Sequence, residues 1–301
     1  MIKMKKNMVN GSKFLTLLLI CVMVSIILPL NPAPLFSAEY SENLINLDII
    51  HTNDTHGYFQ KEKNSGVSVA AAVDRAKKGI LSRKDGGFFL LLDSGDIMNK
   101  DNTDINKMNS DLEIMSKLGY DAIALGNHDV LYGIEKLKEQ SGALNIAIVC
   151  ANLVYKDSDD FVFQPYIVKN IGGIKIGILG MTTLATAEKL NKEDRKNVKL
   201  IDSEDAYSRI IGQFKNECDV RILLSHMGTD EDEKFAKKHS KIKVIVGGHT
   251  PDALEMPLFV NSSCIVNTGR FGVNIGHIDV KFEKKSREVK NIEGSLKFIG
   301  E

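Results

Sequence analysis

Along this chain the apolar positions fall into two alternating rhythms. Short continuous runs read as buried strands. Between them, apolar residues spaced three and four apart read as helices. Leu44 to Ile50 is largely apolar and predicts a strand, and Val67 to Ile80 carries Val69, Val73, Ala76 and Ile80 at helical spacing. Phe88 to Leu92 is fully apolar, the pattern of a strand covered on both faces. Ile105 to Leu118 places Ile105, Met108, Leu112, Met115 and Leu118 on one helical stripe and stops at Gly119. A short strand at Ala122–Leu125, a short helix at Ile134–Gln140 and a strand at Ile146–Val149 follow. Phe163–Lys169 and Ile174–Leu179 flank Gly172-Gly173, which predicts a hairpin. Ser203 to Phe214 reads as a helix with Ser203 as its N-cap. Val220–Leu224 is a strand, Asp230–His239 a charged helix and Val244–Val246 a strand. Beyond Leu258 the helical spacing ends, and Leu258–Val260, Ile265–Val266, Ile275–Phe282 and Val289–Ile292 read as strands. Lys189–Lys199 is mixed in sign and reads as a solvated loop. Strand–helix alternation with an added antiparallel portion predicts an α/β chain in which two sheets pack together with helices outside.

The chemistry-bearing residues sit where the predicted strands end. Five short signatures each follow an apolar run: Asp54-Thr55-His56, Asp93-Ser94-Gly95-Asp96, Gly126-Asn127-His128-Asp129, Ser225-His226 and Gly247-Gly248-His249. Loops at strand ends are where an α/β scaffold presents its chemistry. Carboxylate, amide and imidazole groups converging there suit two hard or borderline divalent cations. Asp54 and His56 are two apart, so in an extended segment both would point to one ion. Asp96 can bridge two cations through its two oxygens, while Asp93 is expected to hydrogen-bond the loop. Asn127 offers a neutral carbonyl oxygen, and His128 a group able to protonate a leaving oxygen or stabilise negative charge. Asp129 is expected to bond its own loop. His226 and His249 offer imidazole nitrogens. His51, His239 and His277 fall outside these motifs and are read as structural.

Composition changes the picture only at the N-terminus. The 39 basic and 39 acidic residues give a net charge of 0, which leaves no basic surplus for a nucleic-acid surface. Lys3, Lys5, Lys6 and Lys13 precede an apolar run from Phe14 to Leu28, followed by three prolines and Phe36-Ser37-Ala38. That order is the order of a secretory signal over residues 1–38, and the run is short for a membrane span. An uncleaved anchor is the alternative. Residues 39–301 are then the mature domain, periplasmic or extracellular, with no membrane contact if the signal is removed. Of the four cysteines, Cys21 falls in the signal segment, and the three left in the mature domain, Cys150, Cys218 and Cys264, an odd number at scattered spacing, read as buried thiols, with one disulfide pair as the alternative.

Taken together, Asn53-Asp54-Thr55-His56-Gly57, Asp93-Ser94-Gly95-Asp96, Gly126-Asn127-His128-Asp129, Leu224-Ser225-His226 and Gly247-Gly248-His249-Thr250 resemble the calcineurin-like metallophosphoesterase superfamily. Within it, the chain is similar to the N-terminal catalytic domain of the 5′-nucleotidase and 2′,3′-cyclic-nucleotide phosphodiesterase family, from about Leu44 to Phe282. The resemblance implies a four-layer α/β/β/α sandwich. It implies a first metal held by Asp54, His56 and Asp96, and a second held by Asp96, Asn127, His226 and His249. His128 inherits the catalytic role. The two ions, manganese, zinc, iron or cobalt, would sit about 3.5–4 Å apart, activate a water and clamp the phosphoryl oxygens. The implied substrate is a small phosphate ester, a nucleotide among the candidates. Three departures qualify this. Relatives carry an acid three residues after the catalytic histidine, where this chain has Leu131. They carry a further ligand two residues after the histidine matching His249, where this chain has Pro251. Their separate C-terminal nucleotide-specificity domain is expected to be absent here, so a separate chain could supply specificity, with Arg270 a candidate anion binder. The alternative expectation is a degenerate metal- or phosphate-binding domain, or a partner-dependent subunit, without turnover of its own.

Overall fold

Alternation within the strands divides the apolar residues between two environments, and this sets the architecture. In a computed structural model that describes residues 43–83, 87–98 and 105–300, residues 44–300 build one unit. Strand β1 (Leu44–Thr52) turns Leu47 and Ile49 toward a second sheet and Ile50 toward helices. Strand β2 (Phe88–Asp93) does the same, with Leu90 and Leu92 inside and Leu91 outside. Successive side chains of a strand point to opposite faces, so a run that is apolar throughout must be covered twice.

The first sheet has the order β14-β13-β1-β2-β3-β4. Its remaining members are β3 (Ala122–Ala124), β4 (Ile148–Val149), β13 (Asn274–Glu283) and β14 (Glu288–Phe298). Strands β1 to β4 run parallel, and β13 pairs antiparallel with β1. Helices α1 (Val69–Leu81), α2 (Ile105–Leu118) and α3 (Ile134–Ala143) cover its outer face, with Val73, Leu112, Met115 and Leu137 packed on Ile50, Leu91 and Ile123. Helix α1 is capped by the Ser68 hydroxyl, which accepts from the Ala71 N–H.

The second sheet has the order β11-β12-β10-β9-β7-β6. It contains β6 (Tyr166–Ile171), β7 (Ile174–Thr182), β9 (Val220–His226), β10 (Ile242–Gly247), β11 (Leu258–Val260) and β12 (Ser263–Val266). Strands β7, β9, β10 and β12 are parallel, and the antiparallel β6 and β11 form its edges. Ile178, Ile222, Leu224, Val244 and Val246 meet the first sheet. Leu179, Leu223 and Ile245 meet α6 (Ser203–Glu217) and α7 (Thr229–Lys238) through Ile210, Phe214 and Phe235. The result is the expected four-layer α/β/β/α sandwich. The Gly172-Gly173 turn joins β6 to β7 with both glycines at positive φ, the backbone that a two-residue hairpin requires.

Two local expectations are corrected. Ser203 is the first residue of α6 rather than its cap; Asp202 holds extended backbone and accepts from the Glu204 N–H. The stretch Lys189–Lys199 is more than a solvated loop. It carries the end of the one-turn helix α4 (Thr186–Lys189), then α5 (Asp194–Asn197), and opens β8 (Val198–Leu200). That strand pairs antiparallel with β5 (Leu153–Tyr155), which the apolar pattern was too short to mark. The Asp194 carboxylate accepts from the Ile134 N–H, tying this segment to the start of α3.

The histidines read as structural are so placed. His51 is buried opposite Gly276, where a side chain would meet its ring, and burial lowers its pKa to about 3. His277 contacts Asp48 at 2.6 Å and His239 contacts Glu204 at 3.0 Å. Cys150, Cys218 and Cys264 are buried free thiols. The N-terminal signal or anchor, and with it Cys21, lies outside the described residues. Among the described residues no helix is long and apolar enough to cross a membrane.

Candidate metal centre

The carboxyl ends of β1, β2, β3, β9 and β10 converge, although they belong to two different sheets. Asp54 and His56 follow β1, Asp96 follows β2, Asn127 and His128 follow β3, His226 ends β9 and His249 follows β10. Ser94 stitches the sheets together, since its hydroxyl donates to the Val246 carbonyl and its own carbonyl accepts from His226.

Asp96 lies at the centre and is 2% exposed. Its Oδ2 is 2.6 Å from His128 Nδ1, 3.3 Å from His226 Nε2 and 3.9 Å from His56 Nε2. Its Oδ1 accepts from the His128 backbone N–H at 2.8 Å. Two groups of three could each hold a cation, His56–Asp96–His128 and Asp54–Asp96–His226, and Asp96 is common to both. This grouping differs from the one implied by resemblance, because it places His128 beside His56 and His226 beside Asp54. Asn127 Oδ1 faces His226 Nε2 at 3.1 Å and His249 Nδ1 at 3.0 Å.

Electrostatics show what the cluster needs. The Nδ1–H of His226 is directed at the Ser94 carbonyl 2.6 Å away, so Nε2 is the nitrogen turned toward Asp96 Oδ2 and Asn127 Oδ1. Both of those oxygens are acceptors. Three lone pairs so arranged require a positive charge among them, either a proton on Nε2 or a cation. Burial by itself would lower the His226 pKa, but the Asp96 and Asp54 carboxylates raise it to about 10. Burial by itself would raise Asp96, yet the His226 and His128 imidazoles hold it well below the usual carboxylate range. Asp54 is raised by burial against the pull of His226. A set of oxygen and imidazole acceptors with so little internal positive charge fits a divalent cation.

The backbone is bent to make this convergence. Asp54, His56, Asp96 and His249 all lie in the left-handed region, at φ 48°, 47°, 55° and 70°. Asp54 and His56 do approach, at 3.8 Å between Oδ1 and Nε2, but with both residues in left-handed backbone and not through an extended segment as the spacing suggested. Aspartate and histidine tolerate this region better than most side chains, and strained backbone of this kind clusters at functional sites. The loops also approach unusually closely. A Cβ on Gly126 would fall 2.1 Å from the Asp96 N and 2.3 Å from its Oδ1, so only glycine fits there.

Supporting residues hold these turns. Asp93 accepts from the Thr52 hydroxyl and the Gly95 N–H, the loop-bonding role expected of it. Asp129 accepts from the backbone N–H groups of Gly126, Asp96 and Met98, knotting two of the loops. With leucine at 131, the carboxylate that His128 meets is Asp96. Sequence reasoning gave no role to Asn53, whose Nδ2 donates to Asp54 Oδ2, Asn267 Oδ1 and the Gly269 carbonyl, and whose Oδ1 accepts from Thr268. Its position within the first motif was the available signal. The Ser94 and Met98 carbonyls that orient His226 and His56 are backbone groups and carry no residue-type signal.

Comparisons with known proteins place the chain among relatives. Residues 47–253 match the family model of the calcineurin-like phosphoesterases. A 5′-nucleotidase of Vibrio vulnificus is 30% identical over 277 aligned residues, covering 80% of this chain and 50% of the relative. The crystal structure of a 5′-nucleotidase precursor from Thermus thermophilus superimposes with a TM-score of 0.72 at 26% identity, over 84% of this chain and 54% of that one. The structure of the calcineurin-like phosphoesterase YfkN from Bacillus subtilis shares the fold, with a TM-score of 0.71 at 22% identity over 85% of this chain and 91% of that one. The chain thus spans about half the length of the curated relatives it matches.

Proposed function

Since the chain belongs to the calcineurin-like phosphoesterase family, we propose that it is an exported hydrolase of small phosphate esters that works with two divalent metal ions. One observation carries this reading: carboxylate, amide and imidazole acceptors from five strand ends converge around Asp96, leaving a charge deficit that cations fill. We keep the assignment that the resemblance implies, with Asp54, His56 and Asp96 holding one ion and Asp96, Asn127, His226 and His249 the other, because it leaves the partly buried His128 free to act on the substrate, whereas the two trios of the structure would make His128 a ligand. Mixed nitrogen and oxygen donors suit manganese, zinc, iron or cobalt. Ions held by these residues would supply Lewis acidity toward phosphoryl oxygens and lower the pKa of bound water.

The remaining chemistry falls to this chain's own groups. His128 is only partly buried and rests against both Asp96 and the His56 ring, 5.2 Å between centroids. There it can deliver a proton to the departing oxygen, or stabilise charge on it. Asp96 orients His128 at Nδ1, which leaves Nε2 for the substrate. The nucleotidase relatives make a nucleotide a candidate substrate, with a separate chain a candidate source of base specificity. Residues 1–38 would direct export, placing residues 39–301 in the periplasm or outside the cell, or at a membrane if the segment is retained.

A second reading is favoured by Pro251, which lies two residues beyond His249 and offers no ligand atom. On that reading the domain binds metal or phosphate and depends on a partner for turnover. The deciding experiment assays the purified chain, loaded with manganese, on p-nitrophenyl phosphate and bis(p-nitrophenyl) phosphate beside Asp96→Asn. Metal-dependent turnover lost in the variant supports the enzyme. Two bound metals per chain without turnover supports the binding domain, failure to bind two metals refutes the two-metal enzyme, and failure to bind either metal or inorganic phosphate refutes both.

A further inference from the structure

Beside the metal cluster lies a cleft of about 500 Å³ whose walls include Tyr58, Lys63, Asp252, Arg270, Phe271 and Asn274. It is joined to the cluster through Phe271, whose ring sits 5.4 Å from the His56 ring and 5.5 Å from that of Tyr58. Phe271 holds φ 62°, a conformation that a bulky side chain rarely adopts, between Gly269 at φ 75° and Gly272 at φ 62°. The strained loop is pinned to the metal-binding turn at several points. The Phe271 N–H donates to the Asp54 carbonyl at 2.7 Å, the Lys63 ammonium donates to the Phe271 carbonyl, and Asn53 donates to the Gly269 carbonyl. Strain maintained by this many constraints points to a position that must be held.

The charges in the cleft are unbalanced. The Arg270 guanidinium lies over the Phe271 ring, 5.3 Å from its centroid, and has no carboxylate partner among the described residues. Lys61 and Lys63 flank the Tyr58 ring at 4.5 and 4.9 Å. Asp252 is the one acid lining the cleft. Aromatic faces beside unpaired cations accept a planar group bearing negative charge.

Resting on the phosphoesterase reading above, we propose that this cleft is the leaving-group subsite, and that Phe271 and Arg270 select phosphate esters whose leaving group is an aromatic ring carrying its own anionic group. In the reaction, water forms the new P–O bond, the ester P–O bond breaks, and the alcohol leaves with the proton it acquires. The ring of that alcohol packs in the cleft against the aromatic wall that Phe271 and Tyr58 form together, and its anion meets the Arg270 guanidinium. No function assigned to the metal ligands requires Arg270, so its removal leaves the metal cluster intact.

The test compares phenyl phosphate with 4-carboxyphenyl phosphate in the manganese-loaded full chain, by phosphate release, for wild type, Arg270→Gln and Arg270→Lys. Loss of a charge-assisted contact predicts that Arg270→Gln lowers kcat/KM for the carboxylated ester by roughly 10–100-fold, mainly through KM. Phenyl phosphate should stay within about twofold, and Arg270→Lys should recover part of the loss. Calorimetric binding of 4-carboxybenzylphosphonate and benzylphosphonate gives a readout independent of turnover, with the same selectivity expected in Kd. Turnover of both esters with no discrimination in Arg270→Gln overturns the subsite and spares the enzyme. Arg270-dependent binding without turnover of any ester spares the subsite and overturns the enzyme. Absence of both turnover and binding overturns both.

Discussion

Loading the site with metal should expel a proton from His226. That ring is fully buried and turns Nε2 toward Asp96 Oδ2 at 3.3 Å and Asn127 Oδ1 at 3.1 Å. In chelated protein a proton on Nε2 supplies the positive charge these acceptors need, and its pKa rises from 6.5 to about 10. At about 1.4 kcal/mol per unit, the rise corresponds to roughly 5 kcal/mol of attraction. A metal ligand must be neutral, so at pH 7 the cation competes with a proton whose hold weakens apparent affinity by about a thousandfold. Apparent affinity for manganese should therefore tighten about tenfold per pH unit between pH 7 and 9. Calorimetry in two buffers of different ionisation enthalpy should count about one proton released per chain at pH 8. Asp54, raised by burial, adds to the release at lower pH. A pH-independent Kd with no proton release would refute the reasoning, because it would mean that Nε2 is not the group meeting the ion.

The same shift has a sign for stability. A folded pKa above the unfolded one stabilises fully below about pH 6.5 and is lost as pH rises through about 10. Chelated protein should then lose thermal stability from pH 7 to 10, more steeply than metal-loaded protein, with Asp93, raised to about 8 by burial, acting in the same direction. His128→Ala should lower kcat on p-nitrophenyl phosphate by roughly 10²–10⁴. Elemental analysis should still find two metals per chain in that variant, and loss of metal would reassign His128 as a ligand. Gly248→Ala places a Cβ 2.9 Å from the Ser94 carbonyl and 3.0 Å from both Asp54 Oδ2 and His226 Nδ1. Overpacking of this kind should cost about 1–3 kcal/mol by chemical denaturation and weaken metal binding. The thiols of Cys150, Cys218 and Cys264, all buried, should resist Ellman's reagent until the chain unfolds, and rapid labelling of the native protein would contradict the packing.

The sequence by itself determined the layers and the chemistry. A run such as Phe88–Leu92, apolar at every position, needs cover on both faces, and with the strand–helix alternation that leads to paired sheets with helices outside. Oxygen and nitrogen ligands at the ends of those runs announced the kind of site, because an α/β sheet exposes its loops there. Tertiary structure decided how the ligands meet. Asp54 and His56 converge through left-handed turns that spacing does not reveal, and His226 is oriented by the Ser94 carbonyl, a group every residue possesses. The ribbon of β5 and β8 escaped notice because Val198 and Leu200 flank a lysine at the end of a charged stretch, and the two strands exist only through pairing across about 45 residues of chain. Phe271 belongs to none of the sequence motifs; its strained backbone and its place beside His56 follow from long-range bonds to Asp54 and Lys63. Periodicity and residue type are local properties and can be read along the chain. Orientation, tautomer and strain arise from contacts between segments remote in sequence, and only the folded chain sets them.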